Sequence, residues 1–187
     1  WLVPPTAFQW KPGITGAITA RVFVRGLQTN QTCTTLLEPG WNLIGIPCEQ
    51  SNRTLENVLT SLNDNYTSIF TFQPSNETDK WKSYNPSLPS WVVQDISEIS
   101  FTSGYWINMK NTSNFIANGT MTNPQAVTLA KGWNLISYSS PTEKQVSQVF
   151  STINGLFTII WSFIPQQGFL FYNPFQNTST LSSINPS

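Results

Sequence analysis

Histidine is absent from this chain. Ser-His-Asp and Cys-His nucleophilic arrangements are therefore closed to it, as is any histidine-ligated zinc site. Cysteine occurs only at Cys33 and Cys48, without CxxC spacing, which argues equally against a thiolate metal site. Charge is scarce: nine basic and nine acidic residues make up 10% of the 187, against about 25% in ordinary globular proteins. No basic stripe is available to displace counterions from phosphates, so nucleic acid is not an expected partner. No apolar run approaches the ~18 residues of a membrane helix; the richest, residues 153–164, is interrupted by Asn154, Thr158 and Ser162. Gly13 and Gly16 have neither a helix pattern nor a Walker lysine after them, so they do not make a phosphate loop. The nearest carboxylate pairs, Asp95 with Glu98 and Glu77 with Asp79, are sequence neighbours. Glycoside hydrolysis needs two carboxylates facing each other across a cleft. These absences together describe a non-enzyme with no metal and no cofactor.

What the chain does have is apolar bulk and neutral polarity. Hydrophobic residues reach 39% and aromatics 13%, enough to build a core and to argue against disorder. Its polar surface must come from Ser, Thr, Asn and Gln. Protonating all nine carboxylates would leave about +9, a mild self-repulsion compatible with an acidic exterior. The sequence opens at Trp1 rather than Met, as expected of a mature form whose leader has been removed. In an oxidising exterior Cys33 and Cys48 would close one disulfide loop; the alternative is two buried thiols. Glycosylation sequons stand at Asn30, Asn52, Asn65, Asn76, Asn111, Asn118 and Asn177. The expected setting is extracellular, at the cell surface, with covalent N-glycans.

Self-similarity is the most informative pattern. Pro39-Gly40-Trp41-Asn42-Leu43-Ile44 recurs as Lys131-Gly132-Trp133-Asn134-Leu135-Ile136. Leu55, Val58, Leu59 and Leu62 form one helix face, and Val146, Val149, Phe150 and Ile153 repeat its spacing. Ser140-Pro141-Thr142-Glu143 reads as the N-cap, first position and capping box of the second helix. Residues 66–72 and 157–163 are β-branched and aromatic and predict strands. Each is followed by a turn at Pro74 or Pro165 and a short strand ending in Tyr84-Asn85-Pro86 or Tyr172-Asn173-Pro174.

The first copy then continues through Ile96, Ile99 and Phe101 into Gly104-Tyr105-Trp106-Ile107 and Phe115-Ile116-Ala117-Asn118-Gly119. The second reaches Leu181 and Ile184 without such a segment, and is expected to lack its last strand. A matching piece lies near the start. Ile14, Ile18, Ala20, Val22 and Val24 alternate with Thr15, Thr19, Arg21 and Arg25, the pattern of a half-buried strand. Residues 13–26 could complete the second copy within the same chain or, by strand addition, in a neighbouring subunit. Head-to-tail donation is heterologous and makes linear polymers from one interface. The Pro-interrupted aromatic arm of residues 1–12 and the lack of catalytic chemistry favour that second course.

Tandem segments with a Gly-Trp-Asn-Leu-Ile start and a Gly-Tyr-Trp-Ile end resemble a repeat of archaeal and bacterial cell-surface proteins, over roughly residues 36–187. The N-terminal strand, sequons, missing histidine and low charge also resemble the glycosylated subunit of archaeal thread filaments. That resemblance implies subunits linked by donor strands, with residues 13–26 as donor and an acceptor groove in the second module.

The expected fold is α+β and β-rich: two tandem modules of antiparallel sheet with one short helix each, plus an N-terminal donor-type strand. The arm and strand occupy residues 1–30, the first module 31–123 and the second 124–187. The expected function is a pilus-like filament subunit that polymerises with identical subunits and adheres to surfaces or other cells. The alternative is a secreted carbohydrate-binding or surface-layer module whose N-terminal strand closes on its own chain. Trp81 and Trp91 would then touch ligand, while Trp41, Trp106, Trp133 and Trp161, inside the repeated strands, are expected in the core.

Overall fold

Strands dominate because long stretches alternate between core and solvent, as residues 113–121 show. A computed structural model describes residues 30–46, 48–62, 64–121, 127–138, 142–176 and 178–184. The donor-type residues Ile14, Ile18, Ala20, Val22 and Val24, the arm of residues 1–12 and the sequon at Asn177 lie outside the described residues.

Strand β1 (Asn30–Leu37) pairs antiparallel with β7 (Ser113–Met121), and β7 pairs on its other side with β3 (Cys48–Glu49). In β7, Phe115, Ala117 and Gly119 point inward, while Asn114, Ile116 and Asn118 point out. Glycine is required at position 119, since a Cβ there would meet the Glu49 carbonyl across the strand pair. The second sheet runs β2 (Gly40–Ile44), β6 (Tyr105–Met109), β4 (Tyr66–Phe72), β5 (Trp81–Tyr84), all antiparallel neighbours. A bulge at Thr67 offsets β4 against β6, so that Tyr66 and Ile69, three residues apart, both reach the core.

Helix α1 (Leu55–Val58) runs into a 3-10 turn at Thr60–Leu62. The predicted stripe Leu55, Val58, Leu59 and Leu62 is wholly buried and forms one cluster with β1, β4, β6 and β7. Burying each such side chain contributes about 1.5–3 kcal/mol. Cys33 and Cys48 are bonded, with Cα atoms 5.9 Å apart. That closure of β1 against β3 adds roughly 3 kcal/mol by the chain-entropy estimate.

The second half holds β8 (Lys144–Gln145), α2 (Val146–Val149) with a 3-10 turn at Ser151–Ile153, β9 (Ile160–Ile164), β10 (Gly168–Tyr172) and β11 (Ser183–Ile184). Here two sequence expectations change. Helix α2 begins at Val146, not near Pro141, because Lys144 and Gln145 stay extended to pair with Ile184 and Ser183. Residues 132–136 form no regular strand; only Ile136 bridges, to Ser103. Among the described residues the second half has two-stranded pairings alone, β9 with β10 and β8 with β11.

Candidate functional site

Local geometry recurs between the halves in detail. Asn42 Oδ1 accepts from the Glu38 N–H at 3.0 Å while its Nδ2 donates to the Glu38 and Gly40 carbonyls. Asn134 makes the same three bonds to Ala130 and Gly132. Gly40 and Gly132 both sit at left-handed φ, 85° and 93°, which explains glycine before each Trp-Asn pair. Leu55 N–H donates to the Ser97 carbonyl at 2.9 Å, and Val146 N–H to Ser182 at 3.0 Å. In the hairpins, Ile69 faces Tyr84 and Phe72 faces Trp81; Ile160 faces Tyr172 and Phe163 faces Phe169.

Burial does not recur. Ile69 is 0% exposed and Val58, Leu59 and Leu62 are nearly so. Their counterparts Ile160, Val149, Phe150 and Ile153 are only half-buried. Val146 and Leu181, matching Leu55 and Ile96, keep full burial. The loss falls on the side that β6 and β7 cover in the first half, where β6 takes the edge of β4 and the Ile116 N–H reaches Ser61 Oγ over the helical turn. Among the described residues, the corresponding edge of β9 pairs with no strand.

A cleft of about 1040 Å³ opens on that side. Trp133, Ile136, Val149, Ile153, Phe157 and Ile159 are among the residues that line it. Its lining is mostly apolar, with Lys131 as the one charged residue among those described. An apolar groove of this kind can accept the alternate apolar side chains of an extended chain.

A second, smaller crevice of about 380 Å³ lies between the halves, lined by Trp41, Phe70, Trp81, Trp106, Phe163 and Phe169. Trp106 packs tilted against Phe163 at 5.1 Å and edge-on against Phe169 at 6.0 Å, joining the outer face of the first sheet to the β9–β10 hairpin. The expectation that Trp41, Trp106, Trp133 and Trp161 fill the core therefore fails. Trp41, Trp106 and Trp161 occupy the strand parity opposite to Ile69 and Ile107, and Trp133 lies outside any strand; Trp41 is 43% exposed and Trp133 64%. The signal was available in Ile69 beside Phe70, apolar neighbours that a strand turns to opposite faces. Of the two ligand candidates, Trp81 borders this crevice, whereas Trp91 stands alone on its loop, 81% exposed.

Asn30, Asn52, Asn111 and Asn118 are exposed, while Asn65 and Asn76 are partly covered. Asn65 and Asn111 bond each other, Asn111 Nδ2 donating to Asn65 Oδ1 at 3.0 Å. Asp95, Glu98, Glu77 and Asp79 are all exposed, and Asp79 pairs with Lys82. Among the described residues no three acidic or cysteine side chains converge as a metal site would require, and no helix is long and apolar enough to cross a membrane. Burial raises the Tyr66 and Tyr105 phenols above their ordinary range. Comparison with protein-family models, curated proteins and solved structures gives no match.

Proposed function

We propose that the chain is a structural, non-catalytic subunit of an extracellular filament at the cell surface. In this reading it consists of two repeat modules, and residues 13–26 of one subunit fill the second-module cleft of the next. One observation carries it: the second half repeats the helix, hairpin and Asn-closed turn of the first, yet is half-buried where β6 and β7 would lie. Residues 13–26 have the alternation that such a strand needs, apolar at Ile14, Ile18, Ala20, Val22 and Val24. The disulfide and the exposed sequons at Asn30, Asn52, Asn111 and Asn118 agree with an oxidising, glycosylating exterior. Donation to a neighbour extends head to tail without closing, which is what a thread requires.

Removal of residues 1–26 tests this. The truncated chain should stay monomeric where the full chain forms threads under the electron microscope, and an added peptide of residues 13–26 should bind it one to one. Threads from the truncated chain, or a full chain that remains monomeric at high concentration, would overturn the proposal.

A further inference from the structure

From the chemistry of the aromatic crevice we infer that it binds an extended proline-rich segment, and that its occupant is residues 1–12 of the neighbouring subunit whose residues 13–26 enter the cleft. The inference rests on the donor-strand reading above.

Six aromatic side chains line the crevice, and their only hydrogen-bonding groups are three indole N–H donors. Apart from those donors, a sugar stacked there would find no protein polar group lining the crevice to fix its hydroxyls and give specificity. Polyproline-type segments have the opposite character. They are preformed, make no internal hydrogen bonds, and dock their rings into aromatic-lined grooves. The walls are held apart by their own packing, with Trp41 5.8 Å from Phe70, Trp81 5.1 Å from Phe72 and Phe163 5.1 Å from Phe169. Trp81 and Phe169 are more than half exposed, so ring faces remain open to an incoming group.

This chain carries a segment of that kind. Residues 1–12 contain Pro4-Pro5 and Pro12 among Trp1, Phe8 and Trp10, with Lys11 as the single charged side chain. Register brings them to the crevice. In the first half Trp106 of β6 stands opposite Phe70, and Met109 opposite Tyr66. A strand placed likewise on β9 runs antiparallel to it, begins level with Trp161 and ends near Phe157. Residues that precede it in the chain therefore emerge beside Phe163, which is itself a wall of the crevice. Twelve residues at about 3.1 Å each span roughly 37 Å, ample to cross it.

Photocrosslinking of the assembled full-length protein tests the placement. Benzoylphenylalanine replaces Phe8 in one preparation and Val22 in another, and mixed isotope-labelled subunits distinguish neighbours from self. Position 22 should crosslink to the neighbour near Trp133 or Ile159, and position 8 to the neighbour's peptides containing Trp41, Trp81 or Phe169. Trp81→Ser should lower the position 8 yield about tenfold. Replacing Pro4 and Pro5 by Gly, away from the walls, should lower it several-fold without altering the position 22 product. If position 22 reaches the cleft but position 8 lands elsewhere or on its own chain, this inference falls and strand donation stands. If position 22 misses the cleft, both fall.

Discussion

Ile69 and Ile160 hold the same place in the same kind of hairpin, opposite Tyr84 and Tyr172, yet only Ile69 is sealed from solvent. Leu62 and Ile153 differ in the same way at the end of matching helical turns, whereas Leu55 and Val146 do not differ at all. The contrast separates two levels of organisation. Turn, hairpin and helical segment depend on contacts a few residues apart, so both halves form them. Sealing the core depends on β6 and β7, which reach β4 and the helical turn from 36 to 55 residues away, Trp106 opposite Phe70 at one limit and Ile116 on Ser61 at the other. The second half thus keeps its local shape although its inner face is only half-buried among the described residues.

The largest expected effect tests that contrast directly. Ile69→Ala should cost about 2–5 kcal/mol in urea unfolding, because the sealed site cannot collapse around the lost methyl groups. Ile160→Ala in the dilute monomer should cost less than about 1.5 kcal/mol and, under the proposed strand donation, should rise toward the Ile69 value on assembly. Equal costs in the monomer would break the comparison. Next, Asn42→Ala removes three hydrogen bonds made by a buried side chain to the turn at Glu38 and Gly40 and should cost about 1–3 kcal/mol. Asn134→Ala, where water can substitute at a half-buried turn, should cost about half as much or less in the same melts. The smallest effect concerns alkaline pH. Burial raises the folded-state pKa of Tyr105 and, with help from nearby Tyr84, Asp64 and Glu56, that of Tyr66, above the ordinary 10.0. Their neutral forms therefore favour folding below pH 10.0, and that contribution is lost as pH rises past it. Phenolate absorbance of these two should lag and then appear together with loss of near-ultraviolet circular dichroism; early, non-cooperative ionisation would contradict their burial.

Much of the local structure was legible. Residues 66–72 match β4, the stripe from Leu55 to Leu62 is buried as its spacing requires, and Cys33 joins Cys48. Two readings failed for nonlocal reasons. The capping pattern at Ser140-Pro141-Thr142-Glu143 looked sufficient to start a helix, but pairing of Lys144 and Gln145 with β11 holds the chain extended until Val146. Trp41 and Trp106 looked like core because they are large and sit in repeated strands; parity turns them to the outer face, against the second half.

Sequence alone determined the repeated turn, hairpin and helical segment, since Gly40 or Gly132, Asn42 or Asn134 and the apolar spacing act through neighbours along the chain. Only the tertiary structure decided which apolar faces are sealed, which tryptophans line a crevice and which strand edge goes unpaired among the described residues. Those depend on surfaces meeting across long separations, and a pattern of residue types carries no record of what lies opposite.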